Sequence, residues 1–319
     1  MNRKGILIIV LVVAVLLIAG YGVTGAVIYN TLTDVRQRCS GPYAENTPDN
    51  FTRQGVDTSP YQMGEYEAVA FPSRDPDITI SGWYIPVEDE ANAPAVIVVH
   101  GLRGCKRGAD VLLPAGMLHH NGFNVLLMDM RDHGDSTVED GRYAGGTEEY
   151  RDVLGAWDWL VNEKSIPPER IGLFGISLGA ATVLIAAGEE PRVAAVWEDS
   201  SFADINVAIV AELARNGYPT FLASSASLMS QLIAGDNIMA HSPLAAAYKM
   251  NGRPLFITHG DADTRLSVQY AYDLAEAVRA AGGQVEPWIV AGSGHVQAMF
   301  DHTEEYEQRL AAFFREHLA

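Results

Sequence analysis

Cysteine, basic residues and nucleotide-binding glycine loops are all scarce or missing in this sequence. The two cysteines, Cys39 and Cys105, belong to no Cys-x-x-Cys pair, so we expect no zinc or other metal site. Only 22 Lys and Arg stand against 40 Asp and Glu, for a net charge of −18. A surface this acidic repels nucleic acid, which we exclude as a partner. No Walker or Gly-x-Gly-x-x-Gly loop precedes a helix, so no cofactor is implied.

One long hydrophobic run is present at the amino terminus. The run from Ile6 to Ile28 is almost unbroken and follows Arg3 and Lys4. About 20 residues suffice to cross a bilayer, and the run has no polar face of the kind that a soluble core helix shows. Residues 1–30 are therefore predicted to form a transmembrane anchor. The alternative is a signal sequence cleaved near the small residues at 24–26.

The flanking charges predict the orientation of this anchor. Arg3 and Lys4 place the amino terminus in the cytoplasm under the positive-inside rule. The rest of the chain then lies on the extracytoplasmic side of the cell membrane, held by a single pass. Cys39 and Cys105 are able to pair in an oxidising compartment, but two free thiols are the preferred interpretation, because a sequence gives no distance between them.

The remainder of the chain divides into a lead-in and one large domain. Residues 31–62 are polar and rich in proline and glycine, so they are interpreted as a stalk rather than a packed element. Across residues 63–319, short hydrophobic runs alternate with helical patterns. This alternation predicts an α/β fold, with a mostly parallel sheet of about eight strands covered by helices on both faces. The predicted strands are 65–71, 78–85, 95–99, 123–128, 170–174, 193–197, 255–258 and 285–290.

One interval breaks the alternation. More than fifty residues separate Trp197 from Leu255, where a single crossover helix would suffice. The runs 202–216 and 218–233 within it are apolar and rich in alanine and serine. An insertion of this length usually forms a lid, so residues 201–250 are predicted to be a helical cap. A pair of ordinary packing helices is the alternative.

The segment Gly175-Ile176-Ser177-Leu178-Gly179 is the most informative motif of the chain. A β-type run precedes it and an Ala-rich helical run follows it. Strand, Gly-x-Ser-x-Gly turn and helix together predict a nucleophile elbow, in which side chains at Gly175 and Gly179 would clash with neighbouring backbone. Ser177 is thereby held out at a helix amino terminus, which favours developing negative charge. Ser177 is the candidate nucleophile.

A serine hydroxyl is a poor nucleophile at neutral pH and needs a base that a carboxylate orients. His295 lies in a glycine-containing loop before the last predicted helix and is the candidate base. Asp263 is the first candidate for the acid, because it follows the end of a predicted strand, where catalytic groups gather in parallel sheets. Asp261 and Asp199 remain alternatives. The order serine, aspartate, histidine is that of α/β hydrolases.

Acyl attack creates an oxyanion that needs two preorganised N–H donors. The amide of Leu178, directly after the candidate nucleophile, is one candidate. The amide of Leu102 is the other, because it lies in the loop His100–Gly104 that follows a predicted strand.

Together these motifs resemble the α/β-hydrolase superfamily over residues 63–319. The resemblance rests on five segments in the order that this superfamily shows: His100-Gly101, Asp129 to Ser136, the elbow, the Asp263 loop and the Gly294-His295 loop.

Within the superfamily, the chain most resembles bacterial membrane-anchored hydrolases of the esterase, acyl-thioesterase and peptidase-like kinds. The resemblance implies that His133 and Ser136 are structural and form no second active site. Family members often have Val-Pro three residues after the acid, whereas Leu266 and Ser267 stand here. The departure implies a less rigid loop and leaves the triad intact.

The leading expectation is a serine hydrolase that cleaves an ester or thioester through an acyl-enzyme. The apolar insertion and the anchor favour an acyl substrate, including a lipid. A serine peptidase of the same fold is the first alternative. A non-catalytic binding protein that keeps the fold is the second.

Overall fold

A single eight-stranded sheet organises the protein. The structure, a computed structural model, describes residues 2–36, 39, 43–235, 237–285 and 287–318. The strands are β1 (Glu67–Pro72), β2 (Thr79–Ile85), β3 (Ala95–Val99), β4 (Asn124–Met128), β5 (Ile171–Ile176), β6 (Ala195–Asp199), β7 (Leu255–Gly260) and β8 (Trp288–Val290). Their order is β1-β2-β4-β3-β5-β6-β7-β8. Strand β2 is antiparallel to both neighbours, and every other pair is parallel. This confirms the predicted α/β-hydrolase fold class.

Helices cover both faces of the sheet. In chain order, the helices of the described residues are α1 (Arg3–Thr33), α2 (Ala109–His120), α3 (Tyr150–Asn162), α4 (Leu178–Glu189), α5 (Ile205–Arg215), α6 (Ala223–Ile233), α7 (Pro243–Tyr248), α8 (Gln269–Ala280), α9 (Ala298–Asp301) and α10 (Thr303–His317). One hydrophobic core joins the sheet to α3, α4, α7 and α8, and a second joins it to α2, α9 and α10. All residues of β3 to β6 are buried, as expected for parallel strands covered on both sides.

The insertion between β6 and β7 has two parts. Helices α5 and α6 pack against each other, and α6 packs along α1. Helix α7 instead packs against α4 and α8, within the layer that covers the sheet. The interval 201–250 therefore contains two helices that lie outside the layer covering the sheet, α5 and α6, followed by an ordinary packing helix; α5 and α6 are called the cap helices below.

Helix α1 is both exposed and attached. It is the one helix in the described part of the chain that is long and apolar enough to cross a membrane, with a mean hydropathy of 3.1 over 18 residues and none of that window buried. Its last turns behave differently, since Ile28, Tyr29 and Thr33 are buried against the domain. The end of the hydrophobic helix is thus part of the hydrophobic core of the domain.

The lead-in segment is packed, which corrects the stalk predicted for residues 31–62. Val35, Phe51 and Tyr61 are buried, and the main-chain oxygen of Phe51 accepts a hydrogen bond from the Thr58 hydroxyl at 2.8 Å. Burial of large apolar side chains stabilises the segment on the domain. The composition of residues 31–62 is polar on average, so it gave no indication that these few apolar residues are buried.

The two cysteines form a disulfide, so the prediction of free thiols is wrong. Cys39 and Cys105 lie with their Cα atoms 5.6 Å apart, within the usual range for a bridge. Packing of the lead-in segment brings them together across 66 positions of sequence. That long-range proximity has no signature in the sequence.

Candidate active site

Ser177 lies at the sharp turn between β5 and α4. Its backbone has φ 53° and ψ −118°, a strained conformation of the kind that concentrates at functional sites. A Cβ at Gly175 would meet the backbone of Gly179, and a Cβ at Gly179 would meet the backbone oxygens of Val99 and His100. Only glycine allows the strand, the turn and the helix to approach this closely. The observed turn is the geometry expected of a nucleophile elbow.

The structure brings Ser177, His295 and Asp263 into one hydrogen-bonded line. The Nε2 atom of His295 lies 2.9 Å from the Ser177 Oγ, and its Nδ1 atom lies 2.7 Å from Asp263 Oδ2. With Nδ1 protonated toward the carboxylate, Nε2 is free to accept the hydroxyl proton. This arrangement is able to activate a serine for attack on an acyl carbon.

The Asp263 carboxylate is held from several sides. Its Oδ1 accepts the backbone N–H groups of Arg265 at 2.7 Å and Leu266 at 2.9 Å. Its Oδ2 also lies 3.2 Å from His259 Nε2. Burial alone would raise the pKa of Asp263, but the hydrogen bonds from His259 and His295 outweigh it and hold that pKa well below the usual range. Asp263 is therefore an anion that orients the His295 ring.

The two alternative acids have other partners. Asp261 Oδ1 accepts the backbone N–H of Gly292 at 2.7 Å and so ties two loops together. Asp199 accepts the hydroxyls of Ser200 at 2.7 Å and Tyr306 at 2.8 Å. Burial raises the pKa of Asp199. Neither carboxylate takes the place of Asp263 on the histidine ring.

Both predicted oxyanion donors lie beside Ser177. Leu102 and Leu178 line the same pocket as Ser177. A Cβ at Gly101 would lie 3.2 Å from the Ser177 Cβ, so the loop backbone passes directly over the serine. Leu178 is the first residue of α4, so no carbonyl of a preceding helical turn accepts a hydrogen bond from its N–H. The position of both residues beside Ser177 keeps their amides as the candidate oxyanion donors.

Ser177 lines two chambers of different character. The first lies beside the end of α1 and helix α5. Its walls are largely apolar: Leu32, Leu102, Phe202, Ile205, Ala208, Ile209 and Leu266, with Arg103, Tyr143, Glu212 and Arg265 among them. The second is more polar and is lined by Arg53, Asp110, His295 and Gln297, among others. The Ser177 hydroxyl thus borders one mainly apolar and one mainly polar space.

The apolar chamber continues toward the cap. A small further cavity shares four lining residues with it, Leu32, Tyr143, Ile205 and Ile209. The remaining walls come from α1, the loops and α6: Tyr29, Thr33, Gly145, Ala226 and Ile238. Sequence analysis did not predict that α1 would contribute to this site, because no local pattern indicates where a terminal helix packs.

A buried charge cluster behind the site was also missed. His259 and Glu198 are fully buried, and Asp263 accepts from His259. Burial raises the pKa of Glu198 to about 8. Although burial favours the neutral ring, hydrogen bonding to Asp263 raises the pKa of His259. The signal was present in the sequence, since His259 lies four positions before Asp263.

His133 and Ser136 hold loops, in agreement with the structural role that the resemblance implied. His133 Nδ1 lies 2.8 Å from the Arg131 main-chain oxygen, and Ser136 donates to the Asp129 oxygen at 2.7 Å. Among the described residues, no group of three His, Cys, Asp or Glu side chains is placed to hold a metal ion.

Several proteins of known sequence are similar to parts of this chain. An uncharacterized Escherichia coli protein of the traX-finO intergenic region is 31% identical over 139 residues, which are 43% of this chain and 47% of that protein. The thiohydrolase aneE of Aspergillus aculeatus is 34% identical over 33% of this chain and 32% of its own length. The chain thus spans less than half the length of these relatives. The uncharacterized protein YfhR of Escherichia coli is 26% identical over 77% of this chain and 80% of its own.

Solved structures show the same fold. An esterase of Pyrococcus furiosus has a TM-score of 0.65 at 22% identity, covering 86% of this chain and 99% of its own. An acylaminoacyl peptidase of Pyrococcus horikoshii has a TM-score of 0.57 at 20% identity, covering 81% of this chain and 42% of its own. The model of the prolyl oligopeptidase family matches residues 114–319, more than half of the chain. With its α/β-hydrolase fold and this match, the chain belongs to the prolyl oligopeptidase family.

Proposed function

We propose that the protein is a serine hydrolase that cleaves an acyl ester or thioester. The observation that carries the proposal is the line from Ser177 Oγ through His295 to Asp263, with contacts of 2.9 and 2.7 Å. Ser177 lies where this line meets an apolar chamber.

The chemistry follows from the geometry. His295 Nε2 removes the proton of Ser177 as the hydroxyl oxygen attacks the acyl carbon. The amides of Leu102 and Leu178 stabilise the oxyanion. The C–O or C–S bond of the substrate then breaks, and His295 returns the proton to the leaving group. Water, activated by the same histidine, hydrolyses the acyl-enzyme and restores Ser177.

The two chambers support the substrate class. An acyl chain fits the chamber bounded by Leu32, Ile205 and Ile209, where burial of each methylene contributes about 0.8 kcal/mol. The polar alcohol or thiol portion fits the chamber that contains Arg53 and Gln297. The esterase neighbour and the thiohydrolase relative act on bonds of these kinds, as their names state.

Replacement of Ser177 tests the proposal. Ser177→Ala should lower kcat/KM on p-nitrophenyl butyrate at least about a thousandfold and abolish labelling by a fluorophosphonate probe. Ser136→Ala is the control, because Ser136 lies in a structural loop and should keep its labelling. Full activity of the Ser177 variant would refute the serine mechanism, and an inactive wild-type chain would favour a binding protein with the same fold.

Family membership favours a serine peptidase as the second candidate. The same serine and histidine would attack an amide carbonyl, as in the acylaminoacyl peptidase whose fold this chain shares. A panel of acyl esters of rising chain length and acylated peptides separates the two. A peptidase should prefer the peptides and show no gain with acyl length.

We also propose that α1 is an uncleaved anchor, with the hydrolase domain on the extracytoplasmic side. Arg3 and Lys4 support this orientation, and the Cys39–Cys105 disulfide is typical of an oxidising compartment. Tyr21 lies before the alternative cleavage site, and its hydrogen bonds with Ser225 and Phe221 support retention of the helix. Intact mass of the membrane-extracted protein tests retention, and protease protection in sealed vesicles tests the side.

A further inference from the structure

We infer that the cap helices lie in the outer leaflet of the bilayer beside α1, and that the site draws the acyl chain of a membrane lipid directly from that leaflet. The inference rests on the proposed function and names its substrate class. It treats α1 as a wall of the substrate site as well as an anchor.

The first observation is the attachment of α6 to α1. The Ser225 hydroxyl donates to the Tyr21 main-chain oxygen at 2.8 Å, and the Tyr21 hydroxyl donates to the Phe221 oxygen at 3.1 Å. The rings of Tyr21 and Phe221 also stack, with centroids 6.3 Å apart. Gly25 allows this approach, since a Cβ there would collide with Ser225. The cap is therefore fixed to the hydrophobic helix itself.

The second observation is the depth of that attachment. The hydrocarbon core is about 30 Å thick, which about 20 helical residues cross at 1.5 Å each. Counted from Gly5, directly after Lys4, the span ends near Gly25. Tyr21 then lies about 6 Å inside the hydrocarbon boundary. Helix α6, which contacts Tyr21 and Gly25, reaches the same depth.

The third observation is the character of the outer face of the cap. In a chain of net charge −18, residues 216–235 contain no charged side chain. Large apolar side chains of α5, α6 and the segment between them are exposed, with Phe221 at 67% and Leu232 at 68%. The others are Val207, Val210, Tyr218, Leu228 and Ile233. An exposed apolar surface continuous with a membrane-spanning helix fits a lipid surface rather than water.

The fourth observation is the cavity that leads inward from this surface. Tyr29 and Leu32 of α1, Ile209 of α5 and Ala226 of α6 line one apolar space. Leu32 and Ile209 also line the chamber that contains Ser177. Apolar side chains thus lie in series from the contact between the anchor and the cap to the chamber of the serine hydroxyl, along the path that we infer for an acyl chain.

The test compares a bilayer substrate with a soluble one. The full chain is reconstituted in phosphatidylcholine vesicles that contain a fluorogenic palmitoyl ester, and p-nitrophenyl butyrate is the soluble substrate. Leu232→Glu should lower the ratio of the palmitoyl rate to the butyrate rate about tenfold, because a carboxylate opposes contact with hydrocarbon. Tyr272→Glu, which adds the same charge to an exposed aromatic position of α8, should leave the ratio unchanged.

A second measurement does not depend on activity. Tryptophan fluorescence of Leu232→Trp should be quenched by brominated phosphatidylcholine, and that of Tyr272→Trp should not. An unchanged rate ratio in Leu232→Glu, or equal quenching in the two tryptophan variants, would overturn the inference. A wild-type chain that hydrolyses neither ester would refute the proposed function instead, and the quenching would then decide the position of the cap.

Discussion

The guanidinium of Arg103 donates a hydrogen bond to the main-chain oxygen of Leu32, at 3.3 Å. The same side chain donates to the oxygens of Thr31 at 3.2 Å and Asp34 at 3.0 Å, so it caps the carboxyl end of α1. The preceding residue, Leu102, carries one of the proposed oxyanion donors. The end of the hydrophobic helix is thus bound by the residue that directly follows a proposed oxyanion donor.

Substitution of Gly25, where α6 packs on α1, should lower stability, whereas substitution of Gly22 on the same helix should not. Gly25→Leu places a side chain against Ser225, and overpacking costs roughly 1–3 kcal/mol. We expect a lower melting temperature and lower activity on long-chain esters. Gly22→Leu is the control, because no atom lies within 4 Å of a Cβ at that position. Equal behaviour of the two variants would show that this contact is dispensable.

The two aspartates of the β7 loop should differ sharply in their effect on rate. Asp263→Asn removes the anion that orients His295, and kcat should fall roughly 10³- to 10⁴-fold at pH 7. Asp261→Asn keeps an acceptor for the Gly292 N–H and should change kcat less than about threefold. Steady-state kinetics on p-nitrophenyl butyrate measures both. The reverse ranking would assign the acid to Asp261.

The apolar chamber should set the preferred acyl length. Ile209→Trp fills space that connects the chamber to the further cavity, so the optimum of kcat/KM should move to shorter chains. Val210→Trp, one position along α5 and exposed, should keep the wild-type optimum. The readout is kcat/KM across p-nitrophenyl esters from acetate to palmitate. An unmoved optimum in both variants would place the acyl chain elsewhere.

Removal of the disulfide should destabilise the protein without changing its chemistry. Cys39 and Cys105 close a long loop, and loss of such a bridge costs about 2–5 kcal/mol. The double variant Cys39→Ser, Cys105→Ser should unfold at lower denaturant concentration while kcat on a soluble ester stays near the wild-type value. Reduction with dithiothreitol should lower the unfolding midpoint of the wild type by a similar amount and leave that of the double variant unchanged.

Glu198 should make stability fall as the pH rises. Its pKa of about 8 in the folded state lies above the ordinary carboxyl value of 4.5, so the folded state binds the proton more tightly. This contribution is full below the unfolded pKa and is lost as the pH rises through about 8. Glu198→Gln mimics the protonated acid, so the stability of this variant should decrease less as the pH rises. Melting temperatures from pH 5 to 9 test this, at roughly 2–4 °C for each kcal/mol.

The parts of the fold predicted from the sequence were those with local patterns. Solid runs of β-branched residues indicated buried strands, and β3 has the predicted bounds, Ala95–Val99. The elbow at Ser177 was predictable because the sharp turn between strand and helix requires glycine at positions 175 and 179, and this requirement leaves a short sequence motif. The positions of Asp263 and His295 followed from a general rule, since the carboxyl ends of parallel strands meet at one edge of a sheet.

The parts that were missed depend on contacts between distant segments. Phe51 and Cys39 lie in a stretch whose average composition is polar, and only the folded domain provides the surfaces that cover them. The contribution of Leu32 to the chamber has the same origin. A hydrophobic run of this kind predicts a membrane span, but it does not indicate which part of the domain the last turn of the helix packs against.

Ser177 borders two chambers, and this arrangement affects where each product of the proposed reaction leaves the site. Under the proposed function, the freed acyl chain lies on the side of Leu32 and the cap, and the alcohol or thiol lies on the side of Arg53 and Gln297. Each product would leave into the phase in which it is more soluble, the fatty acid into lipid and the head portion into water. Such partition keeps both products dilute near the enzyme, so recombination is disfavoured and hydrolysis proceeds in one direction.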